Sequence, residues 1–224
     1  MRRRPTLEEQ CTQIGWPLQR LGAARNGKKQ WRLGNAVNVP PEVAVAEHVA
    51  AAGRLCSWCE GGSINLLIKA AALDTLARRN LFEDRSDAIR RYLEAQLTLL
   101  QDHKVEILSA VRSITPKRLA ENIAEILADD FIREAYPRVK ESFLLKLAAT
   151  TGLDFIVRAA TIFFTRPYEY RAGWPDLTIL DDTGVQFIEV KTTDLLHDSQ
   201  LRFAREVAAP LGLKCAVIQL YTVE

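Results

Sequence analysis

From about residue 41 to residue 150, hydrophobic residues recur every three or four positions, with polar residues between them. This spacing is the period of an amphipathic helix. Proline and serine residues stand at several of the predicted starts, where they fit the first turn or cap it. The pattern predicts helices over residues 41–52, 63–79, 87–101, 104–112, 116–135 and 141–150.

Short runs of β-branched and aromatic residues dominate other segments, and such runs are typical of buried strands. They predict strands over residues 55–59, 154–164, 177–180, 186–191 and 214–220. Residues 182–184 suit the tight turn of a hairpin. A helix predicted over residues 197–210 separates the last two strands, and this order of elements indicates a parallel crossover.

Together these elements predict an α/β domain over residues 37–224, with a small mixed sheet flanked by helices. A helical insertion over about residues 80–150 interrupts the domain, and a segment of that length is expected to be structured rather than a loop. Residues 1–36 carry glycines scattered among basic residues. We expect them to form an N-terminal arm or a small hairpin.

Composition limits the class of protein. Hydrophobic residues make up 48% of the chain, as in a globular protein, and no apolar run reaches the roughly 20 residues that span a bilayer. The net charge of +2 is too small to establish nucleic-acid binding by itself. Cys56 and Cys59 form a CxxC, but no second such pair completes a zinc site, so we expect reduced thiols and a cytoplasmic location.

The candidate chemistry lies near the C-terminus, in three ionisable residues. Asp176 follows the turn sequence Gly-Trp-Pro, and Glu189 and Lys191 lie two positions apart on a predicted strand. Side chains two apart on a strand share a face, and the neighbouring strand can bring Asp176 beside them. Two carboxylates next to an ammonium group suit a metal-dependent phosphodiesterase, in which the acids hold Mg2+ and the lysine orients water.

A less specific interpretation applies to each piece taken separately. A Glu-x-Lys pair on an edge strand is usually a solvated face, and Pro-Asp is a common turn sequence. Here, however, the residues around Glu189 are apolar. A charge within a buried strand is costly unless it is paired or bound to a metal, so the combination favours a functional site.

The sequence Gly-Trp-Pro-Asp-Leu that begins at Gly173, the sequence Phe-Ile-Glu-Val-Lys that ends at Lys191, and the later Gln200 resemble a known family. They are similar to the VRR-NUC branch of the PD-(D/E)xK nucleases, and within it to the nuclease domains of the Fanconi-associated type. The resemblance implies a restriction-endonuclease-like α/β core and a deoxyribonuclease that depends on Mg2+ or Mn2+.

The resemblance also implies a role for each site residue. Asp176, Glu189 and the main-chain carbonyl of Val190 would bind the metal ion. Lys191 would position or activate the water that attacks phosphorus. Gln200 would support Lys191 or a phosphate.

This family uses a further glutamate, for which the chain offers two candidates. Glu60 precedes two glycines and a predicted helix start, in a segment that resembles the motif opening the first nuclease helix of the Fanconi-associated type. Glu141 opens a later helix, at the place where small stand-alone VRR-NUC proteins carry the acid. The two glycines allow a tight backbone turn, so we favour Glu60.

By the same resemblance, the expected activity is structure-selective cleavage of flap or branched duplex DNA, with exonuclease activity in addition, in DNA repair. The expected partner is DNA, without a membrane, and the chain is expected to act as a monomer or homodimer. One alternative is a Holliday-junction resolvase, whose two active sites would suit a symmetric homodimer. An alternative of another class is a non-catalytic DNA-binding protein on a nuclease scaffold.

Overall fold

The computed structural model describes residues 3–27, 29–80 and 84–223. By its internal contacts the chain divides into two compact units. The first, called the sheet unit, combines Met1–Glu60 with Gly173–Glu224. The second, called the helical unit, is Gly61–Ala172.

The sheet unit contains seven strands in its described residues, joined in the order β3-β2-β1-β7-β6-β5-β4. The strands are β1 (Leu18–Asn26), β2 (Gln30–Leu33), β3 (Ala36–Val39), β4 (Leu55–Trp58), β5 (Leu177–Asp181), β6 (Gly184–Lys191) and β7 (Lys214–Thr222). β7 runs parallel to both β1 and β6, and the other pairs are antiparallel. The predictions of a mixed sheet, a β5–β6 hairpin and a parallel crossover between β6 and β7 are therefore confirmed.

Helices of the sheet unit pack on both faces of this sheet. They are α1 (Leu7–Ile14), α2 (Pro41–Ala51), α11 (Asp198–Phe203) with a π-helical turn at Ala204–Ala208, and α12 (Ala209–Leu211). On one face, α2 buries Ala44, Val45 and Val49 against Ile188 and Val190 of β6. Because side chains alternate along a strand, Phe187, Glu189 and Lys191 lie on the opposite face.

That opposite face is closed by aromatic rings. The ring centroid of Trp174 lies 5.9 Å from that of Phe187 and 4.5 Å from that of Phe203 on α11. Phe203 in turn meets Trp16 edge to face, at 6.3 Å. The rings exclude water from one side of the strand that carries the candidate acids, and this favours burial of those acids.

The helical unit is built around one long apolar helix, α3 (Gly62–Arg78), which is buried on most of its circumference. Its other helices are α4 (Arg85–Arg90), α5 (Leu93–Leu99), α6 (Lys104–Ser113), α7 (Pro116–Ala128), α8 (Asp130–Ala135), α9 (Glu141–Phe163) and α10 (Pro167–Tyr170), with a short 3-10 turn at Gln101–His103. Helices α4, α6, α7 and α9 pack against α3. None of the helices in the described ranges is long and apolar enough to cross a membrane.

The predicted strand over residues 154–164 is wrong, because these residues form the second half of α9. Ile156, Ala159, Ala160 and Phe163 are buried, and their spacing is that of one helix face. Gly152 interrupts the helical backbone just before them, with φ 75° and ψ 167°. The predicted helix over residues 87–101 is also divided in two, since Arg91 and Tyr92 are extended between α4 and α5.

Residues 1–36 supply more than the expected arm or small hairpin. β1 and β2 do form an antiparallel hairpin, but α1 precedes it and β1 also pairs with β7. These residues all belong to the sheet unit. The division into an N-terminal segment and a nuclease domain remains a prediction.

Candidate active site

The β5–β6 hairpin brings the two predicted C-terminal acids side by side. Leu177 pairs with Ile188, so Asp176, one residue before β5, lies level with Glu189. Asp176 Oδ2 accepts a hydrogen bond of 2.8 Å from the backbone N–H of Val190. The bond holds this carboxylate at the strand end, next to the residue that the sequence analysis paired with it.

Glu189 is the centre of a buried hydrogen-bond network and is only 2% exposed. Lys191 Nζ lies 2.8 Å from Glu189 Oε1, and Gln200 Nε2 donates to the same oxygen at 2.6 Å. Gln200 Oε1 accepts from the backbone N–H of His197 at 2.9 Å, which fixes the orientation of the amide. The amide of Gln200 therefore contacts Glu189 directly, and its predicted role toward Lys191 or a phosphate remains a prediction.

The electrostatics of the pair disfavour two negative charges. Burial, followed by the nearby charge of Glu189, raises the pKa of Asp176 to about 8. Burial also raises the pKa of Glu189, although Lys191 and Gln200 oppose the rise. Two buried carboxylates this close resist simultaneous ionisation unless a cation joins them. Shifted pKa values of this kind are concentrated at functional sites.

The donor set fits a hard divalent cation. Glu189 Oε2 is buried and has no hydrogen-bond partner among the residues that the structure describes. With Asp176 it offers the carboxylate oxygens that Mg2+ and Mn2+ prefer. Over residues 3–27, 29–80 and 84–223, no three acidic, histidine or cysteine side chains already converge as a chelating set. A third acidic ligand therefore requires a nearby carboxylate to turn inward.

Glu60, the predicted third acid, follows the end of β4, which pairs with β5. The backbone N–H of Cys59 donates to the carbonyl of Asp176 at 3.3 Å, which continues the β4–β5 ladder to the residue before Glu60. Glu60 and Gly61 both have positive φ, 44° and 79°. Such a conformation is uncommon for a residue with a side chain and accompanies functional turns. The side chain is exposed, yet its charge contributes to the raised pKa of Glu189.

The competing candidate for the third acid belongs to the other unit. Glu141 is the first residue of α9 in the helical unit, and it is exposed. Asp176, Glu189, Lys191, Gln200 and Glu60 all belong to the sheet unit. The structure thus gathers the favoured set within one compact unit, while the role of each residue remains a prediction.

Two contributors to the site escaped the sequence analysis. Glu42 lies in the first turn of α2, the helix that packs on β6, and its charge also raises the pKa of Asp176. Gln10 of α1 is buried and holds Leu196, just before α11, by two hydrogen bonds, donating to its carbonyl at 3.2 Å and accepting from its N–H at 2.8 Å. The double proline before Glu42 was the only available signal for the first, and nothing in the sequence pattern linked Gln10 to residue 196.

Gly173 allows the loop before Asp176 to touch the helix that carries Gln200. A Cβ at this position would lie 2.2 Å from the backbone oxygen of Ser199, and φ is +88°. Only glycine accepts both the close approach and this backbone conformation. The residue therefore sets the spacing between the acid loop and α11.

Replacing Gly173 with alanine is expected to destabilise the chain more than a glycine change that meets no neighbour. Gly53 is the matched control, because its φ is +77° and a Cβ there would meet nothing within 4 Å. We expect Gly53→Ala to cost about 1–2 kcal/mol for the backbone conformation alone. Gly173→Ala should cost several times as much in chemical denaturation, and equal losses would contradict the close-packing role.

The known proteins that match this chain are solved structures. No family model and no curated protein matches the chain. A crystal structure of paFAN1 bound to a 2-nucleotide 5′ flap DNA with a gap aligns over 100% of this chain, with 19% identity and a TM-score of 0.64. A second paFAN1 structure, with a 1-nucleotide 5′ flap, aligns over 93% with 18% identity and a TM-score of 0.60.

The likeness has a defined extent. The chain spans 40% of the first paFAN1 structure and 38% of the second, so it corresponds to less than half of that protein. Within this extent, the expected restriction-endonuclease-like α/β fold and the resemblance to Fanconi-associated nucleases are confirmed. The chain therefore has the fold of the paFAN1 region to which it aligns.

Proposed function

We propose that this chain is a metal-dependent nuclease that hydrolyses phosphodiester bonds in flap or otherwise branched DNA. The observation that carries the proposal is the buried pair Asp176 and Glu189, with Lys191 on the same strand face as Glu189. An ionisable cluster of this kind is costly to bury, and such clusters are concentrated at functional sites. The paFAN1 structures that share this fold are bound to flap DNA, which supports DNA as the substrate.

In this proposal Asp176, Glu189, Glu60 and the carbonyl of Val190 hold Mg2+ or Mn2+. When bound, the ion would supply Lewis-acid stabilisation of negative charge on the phosphate oxygens. Glu189 Oε2 is the oxygen proposed to bind the ion, because Oε1 already accepts from Lys191 and Gln200. Glu42 adds negative charge beside Asp176.

Lys191 has the role of orienting the attacking water. Its ammonium group is held by Glu189 at 2.8 Å and is almost fully buried, so its position is fixed before substrate binds. The water oxygen forms a bond to phosphorus, the bond to the leaving oxygen breaks, and the proton lost by the water is balanced by one that the leaving oxygen gains. Gln200 keeps Glu189, and through it Lys191, in the required orientation.

The cellular setting follows the same proposal. Cleavage of flaps and branches would serve DNA repair, with exonuclease activity as a further capacity of the same site. No disulfide bond joins the four cysteines, all of which lie in the described ranges, and reduced thiols suit the conditions of the cytoplasm.

The direct test is cleavage of labelled DNA by the purified chain. We expect cutting of a 5′ flap with Mg2+ or Mn2+ and none in EDTA, with weaker cutting of linear duplex. A fork and a four-way junction complete the substrate set, since preference for the junction together with a dimeric mass would indicate a resolvase. Full activity in EDTA, or no activity on any of these DNAs, would contradict the proposal.

Metal binding is expected to strengthen as pH rises from 6 to 8. The pKa of Asp176 is about 8 in the metal-free chain, so below that pH the metal must displace a proton. Its apparent affinity should then change by up to about tenfold per pH unit. Initial rates at low and high Mg2+ measure this, because high Mg2+ should move the midpoint of the pH profile to lower pH. Identical profiles at both concentrations would contradict this linkage.

The same pKa has a consequence for folding without metal. The folded state raises the pKa of Asp176 from 3.8 to about 8, so it favours the protonated acid. The stabilising contribution is fully present below the unfolded value and is lost as pH rises through about 8. In EDTA, the thermal unfolding temperature should therefore decline as pH rises from 3.8 to about 8. Replacing EDTA with Mg2+ should reduce this decline.

A further inference from the structure

Three aromatic rings of the helical unit lie on its surface instead of in its core. Tyr92, Phe131 and Tyr168 are 53%, 40% and 55% exposed. Other rings of the same unit, such as Phe143 and Phe163, are buried. Exposed rings leave a large apolar area in water, and clusters of them indicate a binding surface more often than isolated ones do.

Two of the exposed rings touch. Tyr92 lies in the extended link between α4 and α5, and Phe131 lies on α8. Their ring centroids are 5.9 Å apart at an interplanar angle of 63°. Both border one small cavity, which Arg90, Arg91 and Glu94 also line.

The third ring is joined to these two through Arg171. The guanidinium carbon of Arg171 lies 5.9 Å from the ring centroid of Tyr168. Arg171 Nη1 donates to Glu94 Oε1 at 2.7 Å, and Glu94 is buried while the side chain of Arg171 is 52% exposed. The buried carboxylate thus fixes an accessible cation among the rings. We call Tyr92, Phe131, Tyr168 and Arg171 the aromatic patch.

The composition of the aromatic patch decides between kinds of ligand. Rings offer faces on which nucleobases stack, whatever their sequence, and an arginine fixed among them can meet a phosphate of the same strand. A protein-docking surface needs apolar area but has no particular need for flat rings around a cation. Arg90, on the rim of the adjoining cavity, adds a second exposed guanidinium, which Asp129 holds by an ion pair of 3.0 Å.

We propose that the aromatic patch binds the unpaired nucleotides of the DNA substrate by base stacking, with Arg171 contacting the backbone phosphate. The inference rests on the proposed function for its choice of DNA as the ligand. It assigns to the helical unit a subsite for single strands, and it explains why these rings are exposed. Double-stranded DNA is not expected to bind at this subsite, because its bases are already stacked on each other.

The test compares single-stranded and duplex binding by the full chain. Fluorescence anisotropy with labelled oligo-dT and with a blunt hairpin duplex, both in EDTA, measures affinity without cleavage. The double variant Tyr92→Leu and Tyr168→Leu keeps apolar side chains but removes two ring faces. We expect it to weaken oligo-dT binding about tenfold or more and to leave hairpin binding within about twofold of the wild type.

Two controls separate stacking from apolar contact and from unfolding. Tyr92→Trp with Tyr168→Trp keeps the ring faces and should retain oligo-dT affinity. Tyr221→Leu removes a similarly exposed ring, 49% exposed, from the sheet unit and should change neither affinity. Circular dichroism shows that each variant is folded.

Three results would overturn the inference: unchanged oligo-dT binding by the leucine variant, equal losses for oligo-dT and hairpin, or tryptophan variants as weak as the leucine ones. Unchanged binding would leave a protein partner as the ligand of the aromatic patch. Flap cleavage in Mg2+ is measured separately. Wild-type cleavage with ring-independent binding overturns only this inference, whereas ring-dependent oligo-dT binding without any cleavage supports it and overturns the proposed nuclease.

Discussion

Asp176→Asn and Lys191→Met should each lower the rate of flap cleavage by about 10³-fold or more, because both act on charge that develops in the transition state. The first keeps the size of the side chain but removes a charged metal ligand. The second removes the ammonium group that Glu189 holds at 2.8 Å. Binding of uncleaved flap DNA in EDTA should change little.

Stability must be measured for both variants, because the site is buried. Loss of Lys191 leaves Glu189 without its ion-pair partner, and Glu189 can respond by taking up a proton, since burial already raises its pKa. Asp182→Asn in the β5–β6 turn and Lys214→Met on β7 change the same residue types at exposed positions of the same sheet unit. These controls should cut at the wild-type rate. A folded Asp176→Asn or Lys191→Met chain that does the same would show that the site is misassigned.

The strand that carries the acids was predictable because local and tertiary signals agree there. Phe187, Ile188 and Val190 fit a buried strand, and the turn before Gly184 fits a two-residue hairpin connection. Once these two strands pair, the register alone places Asp176 level with Glu189. The shared face of Glu189 and Lys191 follows from the period of two residues along a strand.

The second half of α9 shows where the same reasoning fails. Its run of β-branched and aromatic residues has the composition of a buried strand, but burial inside a helical unit favours the same residues. The spacing of Ile156, Ala159, Ala160 and Phe163 contained the helical period. Composition was therefore a poorer guide than periodicity at this segment.

Other parts of the site depend on contacts that no local pattern contains. Gln10 and Leu196 are 186 residues apart along the chain, yet two buried hydrogen bonds join them. Gly173 meets Ser199 only because the loop and α11 pack closely. Gln200 was found as a motif residue, but its hydrogen bond to Glu189 is a result of tertiary packing.

The second large effect on cleavage is expected from the third acid, for which Glu60 and Glu141 are the candidates. Glu60→Gln is expected to reduce cleavage by about 10²-fold or more, the scale of a lost charge-stabilising group. Glu141→Gln should stay within about twofold of the wild type, as for other exposed surface positions. Glutamine preserves the size of the side chain in both variants.

The expectation for Glu60 rests on the backbone at the end of β4 and in the turn that follows it. Cys59 is tied to the carbonyl of Asp176 at 3.3 Å, so Glu60 is held within one residue of the acid pair, and its φ of 44° directs the chain sharply into α3. Retaining such a conformation at a residue with a side chain costs about 1–3 kcal/mol, which a functional carboxylate would justify. Initial rates at saturating Mg2+, with folding checked by denaturation, measure both variants. Loss of cleavage in Glu141→Gln alone would instead assign the third acid to α9, as in the compact resolvase-like arrangement, and would leave the strained turn at Glu60 as a feature of the backbone path only.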